Sequence, residues 1–361
     1  MDMETTRKRD KGLWLSLLLL ICSVCAMAEP DEFVCKKDFN YSYRVNNNYV
    51  LDLDNNYGKI VISHWDKDEV EIQINIITKA RSEKTAQGLL DCIDAKVAEN
   101  KSSIIGKTEI GKNNFSNYHL EINYFVNAPT WMNLKLKQRF GNIKLPQEKN
   151  DGSCQFIVKY GKMDAGDFSQ PLSIEASFSN IQIGNVGTAN IKLEYCSDSS
   201  IKEVGKLTLS DSFSTLAIGK VGKLKMNSSY GKLTIKQADE IDGKINFGHL
   251  NVKNLANSFL CSSQSYSDVN LEEVNTDFET IRTKASFCKL SIGLPKSVSC
   301  KIKAYNFRYG NCKIDKGFEF TEDEVDNENN KARTTTLNKG GKGLIEFDGG
   351  NYGSLSVNAV D

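Results

Sequence analysis

The chain has little of what marks most other classes of protein. Five prolines in 361 residues, with 40% hydrophobic and 25% charged residues, exclude collagen and a disordered chain. Charge of neither sign is in excess, since 46 basic residues face 46 acidic ones. Nucleic-acid binding rests on basic residues that neutralise phosphates, so neutrality removes the electrostatic reason to expect it. Histidine is scarce, with His64, His119 and His249 far apart, and no CxxC pair occurs among the eight cysteines after residue 28. The usual signatures of zinc sites and dithiol redox centres are therefore missing, and no metal or cofactor is expected.

Long apolar runs are confined to one place. Arg7, Lys8, Arg9 and Lys11 precede the apolar stretch Leu13 to Val24, and Ala26-Met27-Ala28 follows with a small-x-small pattern. That order of segments reads as a secretory signal peptide over residues 1–28, with a mature chain from Glu29. The stretch is shorter than the roughly 20 residues a spanning helix needs, so no transmembrane segment is expected after cleavage. Lipidation at Cys22 or Cys25 would want a small residue where Ile21 and Val24 stand. The expected location is outside the cytoplasm: periplasm, outer cell surface or secreted. Eight cysteines follow the leader: Cys35, Cys92, Cys154, Cys196, Cys261, Cys288, Cys300 and Cys312. An oxidising compartment allows disulfides whose connectivity the sequence leaves open. Each is read first as a small buried hydrophobe on a strand.

What the chain does have is a repeat. An aromatic, usually followed by Gly, stands three and five positions before aliphatic residues, as in Tyr57-Gly58-Lys59-Ile60-Val61-Ile62. The other anchors are Phe140, Tyr160, Phe178, Tyr195, Phe213, Tyr230, Phe247, Tyr266, Phe287, Tyr309 and Tyr352, and only Tyr195 fails the pattern, with Asp198 and Ser200 in the apolar slots. From Phe140 to Tyr309 the anchors recur every 17 to 22 residues, which suits one coil of a β-solenoid and is too short for a propeller blade.

Alternation within each repeat changes phase. Leu224 and Met226 fall at even offsets before Tyr230, whereas Leu233 and Ile235 fall at odd offsets after it. A phase change means a bend, placed at the position after the ring, where Gly58, Gly141, Gly161, Gly231, Gly248, Gly310 and Gly353 stand. Each coil is expected to supply two short strands joined at that corner. Because the ring is in phase with the apolar residues before it, the aromatics are expected to form an internal stack, with a sugar-binding platform as the alternative. Between Ser200 and Leu260 nine lysines face five acidic residues, read as a solvated β-face rather than a site for an anionic polysaccharide.

The ends differ from the middle. Val70, Ile72, Ile74 and Ile76 alternate as a strand, and Ser82 to Asn100 reads as a helix capped by Ser82, with Ala86, Leu89, Leu90, Ile93 and Val97 on one side. Thr321 to Asn330 is an acidic run without hydrophobic period, expected as a solvated loop; it lacks the central glycine of an EF-hand. Gly340-Gly341-Lys342-Gly343 lacks P-loop spacing and reads as a turn. The expected organisation is a signal peptide at 1–28, N-terminal strands and a capping helix at 29–139, and repeated coils at 140–361 with an exposed acidic loop at 321–343. The fold class is all-β: a single-stranded parallel β-solenoid, as a right-handed β-helix, with a small N-terminal cap containing one helix.

The segment Leu51 to Ile62, the strand Val70 to Ile76 with its helix, the stretch from Tyr124 through Pro129 to Phe140-Gly141-Asn142-Ile143, and the aromatic-Gly-x-aliphatic units resemble the putative adhesin domain family of exported bacterial proteins. The resemblance runs from about residue 32 to the end. It implies a β-solenoid, an envelope or surface location and an adhesive role, and carries over no catalytic residues. Tyr195 and the acidic insertion after Tyr309 depart from the pattern. The expected function is a noncatalytic, exported, adhesin-like β-solenoid presenting an extended surface to an envelope or surface protein or polysaccharide. Two alternatives are an envelope-sensing partner of a sigma/anti-sigma system and a β-helix polysaccharide lyase or hydrolase. The latter needs converging carboxylates in a groove of long loops. No catalytic, cofactor-binding or metal residues are assigned, and the ligand-binding residues are left open.

Overall fold

A computed structural model describes residues 32–112, 118–326 and 332–360. The signal peptide at 1–28 and residues 327–330 of the acidic run lie outside the described residues. Within them the chain is all-β with one helix.

The N-terminal part mixes strand directions. β1 (Phe33–Arg44), β2 (Val50–Trp65) and β3 (Glu69–Ala80) come first, with β1 antiparallel to β3. Val70, Ile72, Ile74 and Ile76 of β3 alternate into the core. The helix α1 (Glu83–Asp91) starts where Ser82 Oγ accepts a hydrogen bond from the Thr85 amide at 3.2 Å, and it buries Ala86, Leu89 and Leu90. It is shorter than the helix expected to reach Asn100. Ile93 and Val97 satisfy helical and strand spacing alike, but Ile93, Ala95 and Val97 alternate inward along β4 (Ile93–Asn100), which pairs antiparallel with β5 (Ser103–Ile110). The turn between them places Lys101 at φ 54°. β6 (Tyr118–Pro129) lies antiparallel to β3 and parallel to the second half of β2.

From β7 (Asn133–Lys144) onward almost every pairing is parallel. β7 runs beside β2, and with β8 (Cys154–Lys159), β9 (Lys162–Ala165), β10 (Leu172–Ser177) and β11 (Asn180–Glu194) it closes a ring of parallel pairings. β11, β12 (Ser199–Ser212), β13 (Thr215–Ser229), β14 (Lys232–Asn246) and β15 (His249–Ser265) then pair each with the next. Like positions meet, as in Ile201 to Ile218 to Ile235 to Val252, so aliphatic side chains stack into buried columns. Each such Leu, Ile or Val contributes roughly 1.5–3 kcal/mol through removal from water. Instead of the two short strands expected per coil, these are single long strands. In β11 and β12 the pairing skips Gly184 and Gly187 against Lys202 and Gly205, which marks two further bends. At Tyr195 the repeat survives by one inserted residue: Ser199 and Ile201 take the buried slots and pair with Leu216 and Ile218.

The C-terminal part departs from chain order. After β16 (Asp268–Val274), β17 (Thr280–Ser286), β18 (Lys289–Pro295), β19 (Cys300–Tyr305) and β20 (Asn311–Ile314) come β21 (Phe320–Asp326) and β22 (Ala332–Leu337), antiparallel to each other. The described part of the acidic run, residues 321–326, is thus strand rather than loop, and residues 321–325 are exposed as expected. Arg333 donates to both carboxylate oxygens of Asp323 at 2.8 Å, and the Thr335 hydroxyl donates to Asp323 at 2.7 Å. β22 is fixed in turn against β19. β23 (Gly343–Asp348) then lies between β17 and β19, and β24 (Ser354–Val360) lies between β18 and β20.

Candidate binding surface: an exposed aromatic ladder

The ring that anchors each repeat does not enter the core. All twelve anchor aromatics have positive φ, between 47° and 68°, and all are 40% or more exposed. The left-handed backbone conformation belongs to the aromatic itself, and of the glycines that follow only Gly58 shares it. The bend therefore sits one residue earlier than expected. It turns the ring outward and starts the new phase with the next residue, which is why phase with the preceding apolar positions misassigned the rings to the interior. The following glycine has another purpose: a Cβ on Gly141 would lie 1.8 Å from the Gly58 carbonyl oxygen, and one on Gly161 1.7 Å from that of Gly141.

Where glycine is absent, a small donor fills the same buried slot. Ser179 Oγ donates to the Ser177 carbonyl at 2.8 Å, Ser214 Oγ to Ser212 at 2.8 Å, and Cys288 Sγ to Ser286 at 2.8 Å. Each of these carbonyls also accepts a hydrogen bond from the backbone amide of a neighbouring ring residue, Ser177 from Tyr160 at 3.1 Å, Ser212 from Tyr195 at 3.0 Å and Ser286 from Tyr266 at 3.1 Å, so the side chain adds a second bond at the corner. Cys196 takes the same slot. The eight cysteines among the described residues are all free thiols. Burial pushes the Cys154 and Cys300 thiols up to about 12 and Cys312 to about 11, so they are poor nucleophiles.

The rings form one continuous stack. Centroids are 4.6–5.2 Å apart from Tyr57 through Phe140, Tyr160, Phe178, Tyr195, Phe213, Tyr230, Phe247, Tyr266 and Phe287 to Tyr352 and then Tyr309. Between Phe140 and Phe287 the planes lie within 7° of parallel. Strand spacing of about 4.8 Å sets this distance, and such offset stacks are worth about 0.5–1.5 kcal/mol per pair. A non-glycine residue in the left-handed region costs about 1–2 kcal/mol, so stacking offsets a strain repeated at every rung. Tyr309, at the end of the stack, is 70% exposed.

Two features of the ladder lay in the sequence unread. In stack order Tyr and Phe alternate strictly over the first eleven rungs, which puts hydroxyls two rungs apart. Second, the residues one before and two after each ring, 24 positions in all, include no apolar side chain. Seven are Lys or Arg, two are Glu194 and Asp268, one is His249, and the rest are Ser, Thr or Asn. Their register is kept across rungs, as in Thr215 to Lys232 to His249 to Asp268 to Lys289.

The other singled-out residues lie apart. His64 is half-buried and bonded to Asn150 at 3.0 Å, and burial lowers its pKa. His119 pairs with Glu121 at 2.9 Å, and His249 lies 3.7 Å from Asp268. No group of three or more His, Cys, Asp or Glu among the described residues is placed to hold a metal. The lysines between Ser200 and Leu260 line the solvent face, Lys223 pairing with Glu240 at 2.9 Å. No helix among the described residues is long and apolar enough to cross a membrane.

No family model matches the sequence, and no curated protein matches it. The chain is similar to solved structures described as putative adhesins. One from Bacteroides fragilis NCTC 9343 is 14% identical with a TM-score of 0.33, over 70% of this chain and 98% of that one. A putative lipid binding protein from Parabacteroides distasonis ATCC 8503 is 10% identical with a TM-score of 0.33, over 70% and 93%. A putative cell adhesion protein from Clostridium sporogenes ATCC 15579 is 12% identical with a TM-score of 0.17, over 90% and 100%. At these scores the likenesses carry no argument about fold or ligand.

Proposed function

We propose that this chain is a noncatalytic, exported, adhesin-like protein whose parallel strands are the coils of a β-solenoid, capped at the N-terminal end by the segment at 29–139, and that the aromatic ladder is its binding surface in the cell envelope. The observation that carries the reading is a continuous stack of twelve half-exposed rings held in a strained backbone conformation. Packing alone does not ask for this, because glycine or asparagine takes that conformation with less strain. Along the flanks the two carboxylates, Glu194 and Asp268, belong to rungs four steps apart, roughly 19 Å at strand spacing. That separation is too wide for the paired acids of a glycosidase, about 5–9.5 Å apart.

The test uses the chain from residue 29 and a variant carrying Tyr160→Asn, Tyr195→Asn and Tyr230→Asn. Asparagine tolerates positive φ, so the rings go while the corners stay. The parent chain is expected to co-sediment with isolated bacterial envelope fragments and the variant to lose most of that binding at unchanged circular dichroism. Absence of sedimentation by the parent would overturn the reading, and equal binding by the variant would move the surface elsewhere.

A further inference from the structure

We infer that the ladder recognises a linear acidic polysaccharide lying along it, an inference that rests on the ladder being the binding surface. The first argument is which part of each ring is free. Interior rings have a neighbour stacked on both faces, so a sugar cannot lie flat on them as it would on an isolated aromatic. What they offer solvent is the edge, which carries the positive side of the ring quadrupole. A column of such edges favours oxygen-rich, electron-rich groups.

Charge on the flanks points the same way. The whole chain balances to zero, yet beside the rings seven cations face two carboxylates. Four of them, Lys59, Arg139, Lys159 and Lys162, flank the first three rungs. Arg139 is held by Asp54 at 2.8 Å, whereas Lys159, Lys162, Lys232 and Lys289 form no ion pair with a described carboxylate. The local excess is complementary to a polyanion and acts over about 8–10 Å in ordinary salt.

Periodicity then selects the kind of polyanion. The tyrosine hydroxyls recur every second rung, roughly 9.6 Å at strand spacing, and no hydrogen bond joins them to another described residue. Ser, Thr and Asn fill the slots between the cations, and each both donates and accepts, as sugar hydroxyls do. An extended glycan advances about one rung per sugar ring, so a disaccharide repeat meets an equivalent set of groups again and again. Weak contacts then sum by multivalency over a ladder roughly 50 Å long. A globular protein has no such translational repeat, and its interface would need large anchors entering pockets, which a column of stacked rings does not provide.

The experiment is affinity electrophoresis and calorimetry of the chain from residue 29 against polygalacturonate, with dextran as neutral glycan and poly-glutamate as acidic polypeptide. Two variants keep the stack intact: one carries Tyr160→Phe, Tyr195→Phe, Tyr230→Phe and Tyr266→Phe, and the other Lys59→Gln, Lys159→Gln, Lys162→Gln, Lys232→Gln and Lys289→Gln. Polygalacturonate is expected to bind, more weakly as salt rises, and more tightly than either control polymer. The lysine variant should lose about tenfold or more in affinity, about 1.4 kcal/mol, and the four-phenylalanine variant a smaller but measurable factor, both at unchanged Tm. Equal binding of dextran, tighter binding of poly-glutamate, no binding of polygalacturonate, or no effect of either variant would overturn the inference. Any of those results alongside ladder-dependent envelope binding would leave the surface standing and change its ligand; loss of envelope binding would remove both.

Discussion

The middle of the molecule and its C-terminal end are built from the same repeat and assembled by different rules. From β11 to β15 each strand's neighbour in space is its neighbour in sequence. At the end, β23 and β24 come last in the chain yet lie between β17–β18 on one side and β19–β20 on the other, so Tyr352 stacks between Phe287 and Tyr309. The repeat encodes the shape of a rung, with its ring at the corner and its aliphatic columns, but says nothing of which rung it stacks on. Any rung fits any other through the same columns. The order at the end is decided by the hairpin β21–β22, whose β22 occupies an edge of β19 in antiparallel pairing and is anchored by Arg333 and Asp323.

Removing residues 343–361 should have the largest effect. It takes away the strands between β17 and β19 and between β18 and β20, and exposes buried Phe278, Ile281, Ile292 and Ile302, so loss of soluble expression or of a cooperative melt is expected. Deleting the 17 residues 231–247 from the middle should by contrast leave a cooperative β-rich melt with a modestly lower Tm, because Tyr230 would join Gly248 and β13 would stack on β15 through matched columns. If both deletions behave alike, the contrast between the two regions fails.

Single substitutions sharpen the contrast between column and ladder. Ile235→Ala, in a fully buried column, should cost about 2–5 kcal/mol by chemical denaturation. Tyr230→Asp should cost less, about 1–3 kcal/mol, for two lost stacking contacts with Phe213 and Phe247 at 4.6 and 4.8 Å. The aspartate would face water and tolerates positive φ. A cost above that of Ile235→Ala would mean that the ring packs more deeply than its exposure shows.

The smallest effect concerns Asp211, buried two residues before Phe213, which accepts a hydrogen bond from Ser228 at 2.7 Å while its Oδ1 has no partner. Burial raises its pKa. A carboxyl whose folded pKa lies above its unfolded value destabilises the fold progressively as pH climbs past the unfolded value near 3.9. Asp211→Asn should therefore raise Tm at neutral pH, and the gain should vanish in acid below that value. A gain that persists in acid would point to packing instead of ionisation.

The N-terminal part shows where local pattern stopped being enough. Asn55 and Gln138 are fully buried two residues before their rings, in slots that the repeat elsewhere often fills with aliphatic residues. Asn55 Nδ2 donates to the Ile122 carbonyl at 2.8 Å and to Gln138 at 3.0 Å, and its Oδ1 accepts from the Thr108 hydroxyl at 3.0 Å, which also lies 2.9 Å from Tyr124 Oη. Burial holds the Tyr124 phenol up to about 12. The partners of Asn55 come from three other strands, β5, β6 and β7, so no spacing in the chain announces them.

Alternation of apolar residues and the recurrence of an aromatic were enough to give an all-β chain, the position of every rung anchor, the capping serine of α1 and the columns of the core, because those are properties of a few consecutive residues meeting water or its absence. Which way the anchor ring points was not in that pattern: one backbone angle, positive at the ring and, except at Gly58, not at the glycine after it, turns a column of twelve aromatics from core to surface. Nor was the order of the last rungs, the split of the expected helix into α1 and β4, or the pairing of the acidic run with β22. Each of these is settled by contacts between residues far apart in the chain, where several local solutions satisfy the same spacing and packing selects one.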